Sequence, residues 1–189
     1  MGLLKFTVLS CLAVSLTAAA AEAPRKSPEL AIHMADGKDL LLSQMRGKVV
    51  VLAFILTTCP HCQQFTQKLN AIQKEYGPQG VQVVGAAFND DAQTMLPGFL
   101  AKFQPAFPLG WEERASAVGF MGLSIINSGY VPKAYFIDRA GVIQRQFDGM
   151  DPNAPFVADS DKVTRATLDD MLRAPVAQRK TAAKSAPKP

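Results

Sequence analysis

Two cysteines two residues apart, Cys59-Pro60-His61-Cys62, are the side chains in this 189-residue sequence best suited to covalent chemistry. At that spacing two sulfurs can join with little backbone movement. A thiolate can also attack a foreign disulfide or bind a soft metal. The flanking sequence says where the pair sits. Val49 to Leu56 is an unbroken apolar run rich in β-branched residues, which reads as a strand covered on both faces. Pro60 suits the first turn of a helix, where its missing N–H goes unnoticed. Phe65, Leu69, Ile72 and Tyr76 then recur at helical spacing. The cysteines therefore open a helix that follows a buried strand.

That position divides their roles. Cys59 lies at the helix N-terminus, where free N–H groups and the helix dipole favour negative charge. Such surroundings bring cysteine pKa values down to roughly 3.5–7.5. Cys59 is the expected exposed nucleophile. Cys62, one turn inside, is the expected resolving thiol for a mixed disulfide. His61 lies between them, and as imidazolium it would favour the ionised, reduced form and make the disulfide more oxidising. As a structural staple the pair is poor, because the loop it closes constrains the unfolded chain little. A structural zinc site wants four ligands. The chain offers these cysteines, His61 and the distant His33, so no metal and no cofactor is expected. The seven methionines are scattered, as core fillers would be.

The elements that must hold the pair follow from patterning. Ala31–Met34 and Leu40–Leu42 flank Asp36-Gly37 and read as a hairpin. Val81–Phe88 reads as a second buried strand. Asn89-Asp90-Asp91 reads as a cap for a helix reaching Phe103, disturbed at Pro97-Gly98. Phe107–Leu109 reads as a short strand and Glu112–Met121 as a short helix. Lys133–Asp138, a turn at Asp138–Gly141 and Val142–Phe147 form a second hairpin, and Ser160–Arg173 a last helix. Alternation first and a hairpin last imply an α/β domain: a central mixed β-sheet with helices on both faces.

The chain ends bear on location. Residues 1–21 combine Lys5, an apolar run from Phe6 to Leu16 and Ala18–Ala21, the pattern of a secretory signal peptide. The run is short for a membrane span, which needs about 20 residues. Loss of this segment takes Cys11 with it. Residues 22–173 form the expected domain, and residues 174–189 an Ala/Lys/Pro-rich basic tail expected to be disordered. Between Glu22 and Leu172 there are 14 basic and 16 acidic residues. The net charge of +4 therefore sits at the ends, and no basic face suggests nucleic acid. The expectation is an exported protein of a bacterial periplasm or cell envelope. Membrane contact would come only through an uncleaved signal or the basic tail.

From Ile32 to Gly149 the sequence resembles the thioredoxin superfamily, and within it the exported TlpA/ResA-like (redoxin) branch. The likeness runs through Gly47-Lys48-Val49, Cys59-Pro60-His61-Cys62, Val84-Gly85, Val131-Pro132 and Phe136-Ile137-Asp138-Arg139-Ala140-Gly141. It implies a thioredoxin-like fold and a thiol–disulfide oxidoreductase working on cysteine-containing envelope proteins with an upstream redox partner. It further implies that Val131-Pro132 is a cis peptide facing the cysteines, and that Val131, Pro132 and Pro60 meet the client. Thr58 stands where the family usually has Trp. Ala53 stands where many members bury a proton-accepting Asp, so another group must take that role. The Pro-His dipeptide resembles the oxidising DsbA type, but its long helical insert has no room between Phe88 and Pro132, and direction stays open. Two other readings compete. A peroxiredoxin-like thiol peroxidase would present Pro-x-x-x-Thr-x-x-Cys, and Leu56 stands where its Thr should be. A Cu(I)-handling module for oxidase assembly would use both cysteines as soft ligands.

Overall fold

The structure is a computed structural model and describes residues 23–123, 130–148 and 159–173. Residues 1–21, expected to be a signal peptide, and residues 174–189, expected to be a disordered tail, lie outside the described residues. The strands are β1 (Arg25–Lys26), β2 (Ala31–His33), β3 (Asp39–Leu41), β4 (Val49–Ile55), β5 (Val81–Ala87), β6 (Leu109–Trp111), β7 (Lys133–Ile137) and β8 (Val142–Asp148). The helices are α1 (Pro60–Tyr76), α2 (Ala92–Phe103), α3 (Arg114–Met121) and α4 (Ser160–Arg173).

The strands form one mixed sheet in the order β1-β8-β7-β4-β5-β6-β2-β3. β4, β5 and β6 run parallel, while β7 runs antiparallel to β4. Every residue of β4 is buried, as its unbroken apolar run requires. One face carries Ala53, Ile55, Phe65, Leu69, Ile72, Leu96, Phe99 and Leu168, under α1, α2 and α4. The other carries Leu52, Phe54, Val84 and Tyr135, packed with Phe120 of α3. Phe54 anchors that second face, with the rings of Phe88, Phe120 and Tyr135 centred 6.1, 5.5 and 5.7 Å away.

Both hairpins form where the turn residues put them. Gly37 and Gly141 take positive φ, the conformation that favours glycine. Three expectations need correction. The short strand is Leu109–Trp111 rather than Phe107–Leu109, because Leu109 pairs with Gly85 while Phe107 turns into the core. α2 runs through Pro97 unbroken; the proline faces solvent, and Leu96 and Phe99 on either side are buried. The short helix opens at Arg114 rather than Glu112, whose N–H is engaged by Ala87 O at 2.8 Å.

Gly110 of β6 lies tight against β2. A Cβ there would stand 2.4 Å from the His33 carbonyl oxygen, a backbone atom that cannot rotate away. Gly110→Ala is therefore expected to destabilise the domain by about 1–3 kcal/mol, the usual range for overpacking. Urea unfolding should show a lower midpoint at unchanged slope; an unchanged midpoint would contradict this packing.

Candidate active site

β4 delivers the chain to the carboxyl edge of the sheet, and Leu56-Thr57-Thr58 turns it into α1. Cys59 is the N-cap of α1, with extended φ/ψ of −80° and 118°. Its N–H bonds Leu56 O at 3.1 Å, and its carbonyl accepts the first helical bond from Gln63 N–H at 3.0 Å. Pro60 fills the first helical position. Cys59 Sγ accepts a 3.4 Å hydrogen bond from the Cys62 backbone N–H. A sulfur thus occupies the capping position usually taken by a Ser or Asp oxygen.

The two thiols are free and sit in different media. Cys59 is half-buried at the rim of the core. Cys62 is fully buried beside Phe65 and Leu69, with its carbonyl accepting from Thr66 Oγ1 at 2.9 Å. Burial pushes the Cys62 thiol well above its ordinary range; the hydrogen bond and charge of Cys59 add to the rise, and a Leu56 backbone hydrogen bond partly offsets it. His61 is exposed in the first turn of α1.

Val131-Pro132 is a cis peptide. The β4–β7 register pairs Phe54 with Lys133, so Val131-Pro132 precedes β7 at the end of the sheet where β4 leads into α1. Val131 packs on both faces of the core, including the one holding Cys62. Sequence positions more than 70 apart thus meet at one end of the sheet. Ala53 is buried on that same face, so β4 supplies no carboxyl beneath Cys62. His33 stands apart on β2, paired with Asp39 and tilted against Trp111. Among the described residues no group of three or more His, Cys, Asp and Glu side chains could hold a metal ion.

A model of the AhpC/TSA family matches residues 23–146, two thirds of the chain. The chain belongs to the AhpC/TSA family. This AhpC/TSA member is 24% identical over 125 residues to the thiol-disulfide oxidoreductase ResA of Bacillus anthracis, spanning 66% of this chain and 69% of the relative. It is 24% identical to the thioredoxin-like protein YneN of Bacillus subtilis over 121 residues, 64% and 68% of the two chains. A Chlorobium tepidum chain assigned as thiol:disulfide interchange protein DsbE superposes with a TM-score of 0.66 at 25% identity, over 79% of this chain and 98% of that one. A thiol:disulfide interchange protein from Bacteroides sp. gives 0.63 at 13%, over 84% and 95%. The fold is thioredoxin-like, and the family member is ResA-like within that superfamily.

Patterning missed two features of this end of the molecule. Lys133 is fully buried, with its ammonium paired to Asp148; only its place between cis-Pro132 and an apolar strand hinted at that. Asn89 was read as part of a helix cap, yet its side-chain oxygen accepts from Thr57.

The unequal burial has a direct chemical readout. The thiolate is the reactive form, and each unit of upward pKa shift removes about tenfold of it at neutral pH. Iodoacetamide at pH 7 should label Cys59 at least about tenfold faster than Cys62, and Cys62 labelling should accelerate only at clearly alkaline pH. Faster labelling of Cys62 would reverse the two environments.

Proposed function

We propose that this chain is an exported thiol–disulfide oxidoreductase that exchanges a Cys59–Cys62 disulfide or dithiol with cysteine-containing envelope proteins, as a TlpA-like reductase. The observation that carries the reading is the pair itself: one half-buried sulfur at a helix N-cap and one fully buried sulfur a turn behind it. Oxidoreductase activity is the shared theme of the ResA relatives and the interchange-protein structures. Export draws support from the signal-like residues 1–21 and from the kinship to ResA. No helix of the described residues is long and apolar enough to cross a membrane.

The chemistry runs in two balanced steps. Cys59 thiolate attacks a client disulfide, forming a Cys59–client bond and expelling the other client sulfur, which takes up a proton. Cys62 then loses its proton and attacks Cys59 Sγ, forming Cys59–Cys62 and releasing the second client thiol. Two electrons pass to the client, and an upstream dithiol partner restores the reduced pair. Run backwards, the same steps oxidise a dithiol client; the difference in potential between the couples sets direction. Burial holds the proton on Cys62 while Cys59 attacks, which makes Cys59 the entering nucleophile. In this reading Pro60, Val131 and Pro132 meet the client, and the Val131 backbone offers an edge for an extended client segment. His61 supplies positive charge near Cys59 when protonated.

Two variants test this division of labour. Cys62→Ser should accumulate mixed disulfides with disulfide-bearing envelope proteins, because nothing resolves them, and Cys59→Ser should accumulate none. Equal trapping by both would refute the assigned roles. His61→Ala should make the couple less oxidising. A tenfold change in its equilibrium constant corresponds to about 30 mV for this two-electron exchange. An unchanged potential would remove His61 from the chemistry.

A further inference from the structure

Thr57 ends the strand-to-helix turn two residues before Cys59, and it is only 4% exposed. A buried turn residue must satisfy its polar groups, and here all three are held from outside the turn. Its backbone N–H donates to Asn89 Oδ1 at 2.9 Å. Its hydroxyl donates to the same oxygen at 3.2 Å, with Met95 Sδ a weaker alternative at 3.5 Å. Its carbonyl accepts from Gln63 Nε2 at 2.9 Å.

The Asn89 amide is fixed in this orientation. Its Nδ2 donates to Asp91 Oδ1 at 2.6 Å. Flipping the amide would set an NH2 against the Thr57 N–H and an oxygen against the Asp91 carboxylate, so the network permits one assignment. Asn89 follows Phe88, whose N–H bonds Ile55 O at 3.1 Å. The side chain therefore reaches from the end of β5 across to the end of β4. Asp91 orients Asn89, Asn89 holds Thr57, and Thr57 leads by one residue into Cys59.

We infer that Asn89 is a positioning residue for thiol–disulfide exchange, clamping the turn so that Cys59 Sγ stands on the Cys62 N–H. This role rests on the exchange reading of Cys59 and Cys62. The hydrogen bond it protects has a sulfur acceptor at 3.4 Å, and its strength depends on the turn keeping the N–H aimed at the sulfur. The bond serves the reduced, ionised sulfur. In the disulfide Cys59 Sγ is bonded to Cys62 Sγ and its negative charge is gone. The clamp therefore favours the reduced pair and makes the couple more oxidising than a loose turn would.

The test compares full-chain wild type, Asn89→Ala, Thr57→Val and the double variant. Two quantities are read: the pH profile of Cys59 alkylation and the equilibrium of the pair with glutathione. Asn89→Ala should move the alkylation profile to higher pH. It should also shift the equilibrium toward the disulfide by roughly threefold to tenfold, the weight of one net hydrogen bond. Thr57→Val keeps its N–H and should shift both less, in the same direction. The double variant should match Asn89→Ala, since both changes break one clamp. Asn89→Ala with a lowered unfolding midpoint but both readouts at wild-type values would overturn the role, as would additive effects in the double variant. Should Asn89→Ala not fold, Thr57→Val and Asp91→Ala carry the same comparison, and wild-type values for both overturn the role. Failure of wild type to equilibrate with glutathione would instead overturn the exchange reading, while the alkylation profile still decides what Asn89 does.

Discussion

A single boundary between water and core organises this molecule: the passage from β4 into α1. β4 is buried along its whole length, so the chain must leave the sheet at its carboxyl edge and turn at once. The helix that starts there has unpaired N–H groups in its first turn. Cys59 Sγ takes one of them, and the helix dipole adds to the attraction for negative charge. Three residues later the chain has rotated inward, and Cys62 is sealed against Phe65 and Leu69. One sulfur is placed where charge is favoured and the other where burial opposes it. No other residue has to create that difference, because it follows from helix geometry meeting a hydrophobic core.

The rest of the fold can be seen as support for that turn. Parallel pairing with β5 brings Phe88 and Asn89 beside Ile55 and Thr57. Antiparallel pairing with β7 brings Val131 and Pro132 to the same end. The ion pair between buried Lys133 and exposed Asp148 ties the start of β7 to the end of β8. Three chain segments far apart in sequence thus converge within one edge of the sheet.

Much of this was legible in the residues, for identifiable physical reasons. β4, β5 and α1 carry strong periodic signals, and a continuous apolar run has few alternatives to a doubly covered strand. The hairpins were legible because Asp-Gly and Ala-Gly turns need positive φ, which glycine supplies. β6 was misplaced by two residues because three-residue strands carry almost no pattern; their position is set by pairing with Gly85. Proline 97 suggested a break that packing of Leu96 and Phe99 overrides. At the site, the cysteines were legible from spacing alone. The Asn89–Thr57 contact was not, because it spans 32 residues and depends on two strand ends coming level. The burial of Lys133 was scarcely legible, because its ammonium meets Asp148 at the far end of the hairpin.

The central claim is that Cys59 and Cys62 form one reversible two-electron couple. The most direct measurement is equilibration of the protein in glutathione buffers of graded ratio, with acid quenching and mass analysis of the Cys59 and Cys62 thiols. The account predicts a single transition between dithiol and intramolecular disulfide, with an equilibrium constant independent of protein concentration. Thiols that stay reduced at every ratio, or that end only as stable glutathione adducts, would contradict it.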